Sequence, residues 1–139
     1  MKNRMCRIGY FWDLYRRIAE DNDLNAEIAV ELLKSEGAEC DVAEDGQKAL
    51  EMFVSSPVGK YNAILMDVMM LVMDGYEATK AIRNSKHPEA LTIPIVAMTA
   101  NALVKDVQDA LDAGMNAHIA KPIHTEVLKN TLASCIRNL

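Results

Sequence analysis

The segment AILMDVMMLVMDGYEATKAIR, residues 63–83, decides the fold. It opens with the apolar run Ala63-Ile64-Leu65-Met66 and stops at a carboxylate, Asp67. A short continuous apolar run of this kind reads as a strand buried on both faces. Asp74-Gly75 then marks a helix start, and Tyr76, Thr79, Ala81 and Ile82 follow at helical spacing. A buried strand, a loop and a helix with one apolar stripe form the repeating unit of a parallel α/β sheet.

The same alternation extends in both directions. Apolar runs recur at Val42-Ala43, Ile95-Val96-Ala97-Met98 and Ala117-His118-Ile119-Ala120. Between them lie helical faces made by Leu24, Ile28, Leu32 and Leu33, by Ala49, Leu50 and Phe53, and by Leu103, Val107, Ala110 and Leu111. Val127, Leu128, Leu132, Cys135 and Ile136 make a last face. Asn22 or Asp23 can cap the first helix, Asp45 precedes the second, and Thr125 caps the last. Gly37 and Gly114 are left-handed stops. The pattern predicts a doubly wound α/β fold: a five-stranded parallel sheet with helices on both faces.

The bulk properties agree. A chain of 139 residues, half apolar and a quarter charged, fits one globular domain. It can bury a core without disulfides or a structural metal. A net charge of −5 argues against a nucleic-acid surface, which needs a basic stripe, and suits a ligand or partner that brings positive charge. Cys6, Cys40 and Cys135 are scattered and form no metal or redox motif. The amino terminus lacks a signal-peptide apolar core, and no apolar run approaches membrane-spanning length. The expectation is a cytoplasmic domain without membrane contact.

In an open parallel sheet, ligands bind beyond the carboxyl ends of the strands. Glu20 and Asp21 are expected after the first strand, Asp67 after the third, Thr99 after the fourth and Lys121 after the fifth. Each alone reads as a cap, a turn or a solvated charge. Together they place three carboxylates, a hydroxyl and an ammonium on one rim. The carboxylates repel one another unless a cation sits among them, and oxygen donors suit Mg2+. Asp67 is then the nucleophile toward phosphorus. The cation and Lys121 offset charge on the phosphoryl oxygens, and Thr99 donates its hydroxyl after transfer.

The stretches AEDNDLNAEIAVELL, ILMDVMMLVMDGYEATKAIR, IPIVAMTANA and AGMNAHIAKPI resemble the receiver domains of two-component response regulators, most of all those of hybrid histidine kinases. The resemblance runs from about Ile18 to the carboxyl terminus. It implies the flavodoxin-like strand order 2-1-3-4-5 and makes Asp67 the phosphorylated aspartate. Glu20 and Asp21 become the acidic magnesium pair, and Met69 adds its backbone carbonyl to the metal. Thr99 becomes the switch hydroxyl, Lys121 the motif lysine and His118 the switch residue of the fifth strand. The implied partner is a histidine kinase or histidine phosphotransfer protein that donates from phosphohistidine. The domain itself would catalyse receipt and later hydrolysis of the group. A second copy of the chain is a further candidate partner.

Two departures stand out. Leu71 occupies the place where the family usually has proline, which loosens that loop by about 1 kcal/mol. The residues before the acidic pair are Tyr15, Arg16, Arg17, Ile18 and Ala19, and two arginines in a central strand carry a heavy desolvation cost. Either Leu14 to Ala19 forms a shortened strand, or Met5 to Phe11 supplies the sheet and a long loop carries Glu20 into place. The domain is taken as residues 1–139, with the fold over about 14–137 and 1–13 as an atypical extension.

Other residues read more simply. His87 and His124 are expected to be solvated, and Asp106, Asp109 and Asp112 to form a solvated helix face. The nine methionines are core and loop filler. The competing function is a non-phosphorylated pseudo-receiver, an interaction module on the same fold. A haloacid-dehalogenase-like phosphatase wants a second acid where Met69 stands. A flavin or nucleotide binder wants a phosphate loop where Glu20-Asp21 would repel it.

Overall fold

A computed structural model of the chain describes residues 6–11, 31, 38–43, 46–67, 73–99, 104–120 and 124–135. Five strands, β1 (Cys6–Phe11), β2 (Ala38–Ala43), β3 (Ala63–Asp67), β4 (Ile95–Thr99) and β5 (Ala117–Ala120), form one sheet in the order β2-β1-β3-β4-β5. Every pairing is parallel. Four helices are described: α1 (Gly46–Val54), α2 (Gly75–Arg83), α3 (Val104–Ala113) and α4 (Thr125–Cys135). No helix among the described residues is long and apolar enough to cross a membrane.

The central strand of the sheet is Cys6–Phe11. Cys6–Phe11 pairs with β2 from Cys6↔Ala38 to Phe11↔Ala43, and with β3 from Ile8↔Ala63 to Phe11↔Met66. Of the two alternatives for the first strand, the earlier segment is the one in the sheet. Its physical advantage is charge: CRIGYF carries one arginine, whereas Leu14 to Ala19 carries two. Leu14 to Ala19 lies outside the described residues, as do the predicted first helix apart from Glu31, its caps and Asp45.

Side chains alternate across the sheet, so each strand feeds two cores. Ile64, Met66, Ile95 and Ala97 join Ala49 and Phe53 of α1, Ala78 and Ile82 of α2, and Ala110 of α3 in one buried cluster. Leu65, Val96, Met98 and Ile119 are equally buried, and α4 packs on β5 with Leu128 and Leu132 inside. Where the predicted faces fall on described residues they hold with two exceptions; Leu24, Ile28, Leu32, Leu33, Leu103 and Ile136 lie outside those residues. Leu111 is 52% exposed and Val127 45% exposed, while Ala113 and Ala78 take inward positions.

Of the predicted helix punctuation that falls on described residues, the marks at Asp74 and Gly114 are realised, whereas Thr125 is the first residue of α4 itself. Asp74 caps α2, its Oδ1 accepting from the Glu77 backbone N–H at 2.8 Å. Gly114 follows α3 at φ +107°, which a β-carbon disfavours.

Polar clasps fix the amino edge of the sheet and hence its register. The Asn116 N–H donates to the Ile95 carbonyl at 2.8 Å, and the Asn116 Oδ1 accepts from the Ile95 N–H at 2.8 Å. Arg83 donates to the carbonyls of Gly114, Ala90 and Ile93 and to Asn116 Oδ1, all within 3.0 Å. Burial lowers its pKa, yet an arginine stays charged. These bonds tie the end of α2 to the starts of β4 and β5.

His87 is buried rather than solvated, which overturns the expectation from its neighbouring proline. Its ring lies 4.4 Å from that of Phe53. The Glu89 N–H can only donate to Nδ1 (3.0 Å), and the Ser56 carbonyl can only accept from Nε2 (2.9 Å). That pair of partners satisfies a neutral ring protonated at Nε2. His124 is exposed, as expected.

Thr79 is fully buried, and its hydroxyl has no hydrogen-bond partner among the described residues. Replacing an unpaired buried hydroxyl by a methyl group of the same shape removes a desolvation penalty. Thr79→Val should therefore raise stability by about 1 kcal/mol, seen as a higher urea midpoint with an unchanged slope; a lowered midpoint would show that the hydroxyl is paired in solution.

Candidate active site at the carboxyl edge of the sheet

All five strands run the same way, so the residues that end them share one edge. Asp67 ends β3 with its backbone in register with Met98, and Thr99 ends β4 in register with Ala120, the last residue of β5. Neighbouring strands lie about 4.8 Å apart and rise about 3.3 Å per residue, which puts the Cα atoms of Asp67 and Thr99 roughly 6 Å apart. Phe11, the last residue of β1, is in register with Met66, so the central strand ends at this edge too.

Thr99 is 6% exposed, and its Oγ1 is buried without a hydrogen-bond partner among the described residues. A hydroxyl in that condition costs about 1–3 kcal/mol, and natural folds rarely leave one unpaired without a use for it. Unlike Thr79, which lies inside α2, Thr99 stands where ligands of this fold class bind. His118 is half-buried in β5, in register with Ala97, two residues back from Thr99. Glu20, Asp21, Met69 and Lys121 lie outside the described residues. The structure thus brings Asp67, Thr99 and the strand leading to Lys121 together.

The returning end of the loop after Asp67 is anchored. Met73 packs partly buried against the core, and Asp74 caps α2. A β-carbon on Gly46, the first residue of α1, would overlap the Met73 carbonyl oxygen and approach its carbonyl carbon to 2.8 Å. The sequence signal for this contact was a glycine inside the first turn of a helix, where glycine is a poor helix former.

Acids gather on the flank of the site. Burial first, then the charges of Asp106, Asp109 and Asp74, raise the Tyr76 pKa above the ordinary phenol value. Asp112 is exposed and Asp106 and Asp109 are partly so, so the expected solvated face of α3 is partly sheltered.

A family model for the response regulator receiver domain matches residues 17–133. The chain belongs to the response regulator receiver domain family. The match begins at residue 17, after β1, so that strand lies outside it. Among curated relatives, hybrid signal transduction histidine kinase I of Dictyostelium discoideum is 37% identical over 80% of this chain. The sensor histidine kinase RcsC of Salmonella typhimurium is 36% identical over 87% of it. The chain spans 6% and 12% of the lengths of these two relatives. The receiver domain of a sensor histidine kinase from Pseudomonas aeruginosa, solved with a magnesium ion coordinated in its active-site cleft, superposes with a TM-score of 0.80. It is 32% identical, and the match covers 97% of this chain and all of that one.

In this receiver domain the raised Tyr76 pKa has a signed consequence. The unfolded state loses its phenol proton first, so this contribution to stability is complete below about pH 10 and falls as pH rises toward the folded-state pKa. Tyr76→Phe should flatten the alkaline loss of stability, measured by urea unfolding from pH 9 upward; equal slopes in both proteins would remove the assigned environment.

Proposed function

We propose that this receiver domain accepts a phosphoryl group on Asp67 from a partner phosphohistidine and so switches a protein–protein interaction surface. The observation that carries the proposal is the buried Thr99 hydroxyl at the carboxyl edge, without a hydrogen-bond partner among the described residues and one residue past the register partner of Asp67. A neutral donor held ready in a dry site suits an oxyanion that arrives with the phosphoryl group.

The donor set also fits magnesium. Glu20, Asp21 and Asp67 offer carboxylates and Met69 a carbonyl, all hard oxygen ligands of the kind that ion prefers. When bound, the ion supplies positive charge against the phosphoryl oxygens. The residues of the chain do the rest. A carboxylate oxygen of Asp67 attacks phosphorus, an O–P bond forms, the N–P bond of the phosphohistidine breaks, and the imidazole leaves with the electron pair. Lys121 offsets charge on one phosphoryl oxygen, and the Thr99 Oγ–H donates to another. Hydrolysis by water later restores the carboxylate.

The acquired charge and acceptors would pull Thr99 toward the phosphoryl group. That movement vacates space beside His118 on the neighbouring strand, which biases the surface of α3, β5 and α4 between two states. The partner is a histidine kinase or a histidine phosphotransfer protein. Acidic flanking residues and the absence of a basic stripe fit a protein partner better than a nucleic acid.

The chain incubated with acetyl phosphate and magnesium should gain the mass of one phosphoryl group, and Asp67→Asn should gain none. Thr99→Val should reach a lower steady-state fraction, since a hydrogen bond to a charged group contributes about 1.5–3 kcal/mol. A wild-type chain that stays unmodified would leave the non-phosphorylated interaction module as the function.

A further inference from the structure

The contact between Gly46 and Met73 does work that the phosphoacceptor chemistry does not yet account for. Gly46 is buried at the start of α1. It has no positive φ, so the backbone conformation does not demand glycine. Space does. A β-carbon there would meet three atoms of Met73: the carbonyl oxygen, the carbonyl carbon at 2.8 Å and Cβ at 2.9 Å. Two of the three are backbone, so no side-chain rotation relieves the overlap; either α1 or the chain at residue 73 must move.

Residue 73 is a consequential place to move. Five residues separate it from Asp67. The Asp67 end is fixed by pairing with β4, and the other end by the Met73 seat and the Asp74 cap of α2. Within that span Leu71 stands where the family usually has proline, so no ring restricts its φ. A span without its own stiffener depends more heavily on how its ends are held.

We infer that Gly46 is a positioning residue for phosphoryl transfer: its missing side chain lets α1 seat the Met73 backbone and thereby fixes the far end of the loop that follows Asp67. The inference rests on the proposed phosphoacceptor role of Asp67. Misplacement of a reacting group by about 1 Å costs up to about a hundredfold in rate, and a displaced loop end transmits part of that.

The test compares three proteins, wild type, Gly46→Ala and Leu132→Ala, in acetyl phosphate and magnesium. Leu132→Ala is the control because it loosens the opposite layer, in α4, without touching Met73. Gly46→Ala should accept the phosphoryl group about tenfold more slowly, while Leu132→Ala, equally destabilised to heat, should keep the wild-type rate. Independently of any variant, the amide resonance of Gly46 in the wild-type chain should shift when Asp67 is phosphorylated. A phosphorylated wild type with an unmoved Gly46 amide, or a Gly46→Ala rate equal to wild type, overturns the inference and leaves the phosphoacceptor role standing. Should Gly46→Ala fail to fold, the amide shift alone decides. A wild type that takes no phosphoryl group removes both.

Discussion

The register between β3 and β4 is the constraint on which the rest depends. A parallel ladder permits no partial credit: shifting one strand by a residue turns every side chain to the other face. With Ile64 opposite Ile95 and Asp67 opposite Met98, both strands bury their apolar residues on both faces and end together. Thr99 is then carried one step past Asp67 and no further. The same pairing that fills the two cores sets the spacing of the carboxylate and the hydroxyl.

The starts of β4 and β5 are held from the edge opposite the site. Asn116 exchanges two hydrogen bonds with Ile95, and Arg83 gathers carbonyls from the turns before β4 and β5. His87, in tilted ring contact with Phe53 and bonded to Ser56, ties the turn after α2 to the turn after α1. None of these groups approaches the carboxyl edge, yet each limits how β4 and β5 can slide. The polar clasps lie at one edge and the proposed phosphoacceptor site at the other, where a buried hydroxyl goes unpaired among the described residues. The division is physically reasonable, because an orphan donor is tolerated only when the surrounding structure is over-determined.

Much of this was legible in the residues. The run ending at Asp67, the Asp74 cap and the Gly114 stop are local signals with local causes, and each appears where periodicity and turn chemistry put it. The central strand was harder. CRIGYF and the segment Leu14 to Ala19 are comparably short and irregular, and only pairing with two neighbours at once distinguishes them. Burial of His87 was hidden because its partners, Phe53 and Ser56, lie more than thirty positions upstream. Leu111 misled because composition extends a helical stripe further than packing does; Ala113 fills the inward place instead. Gly46 carried a visible anomaly, a glycine in a first turn, but not the identity of the backbone it makes room for.

The central claim is that the Thr99 hydroxyl is held in reserve for an oxyanion on Asp67. A crystal structure of the chain grown with magnesium and beryllofluoride, which mimics a phosphoryl group on a carboxylate, tests it directly. The account predicts a beryllium–oxygen bond to Asp67 and a fluorine within hydrogen-bond distance of Thr99 Oγ1, about 2.5–3.0 Å. An adduct on Asp67 with Thr99 Oγ1 bonded instead to a protein group, away from every fluorine, would contradict it.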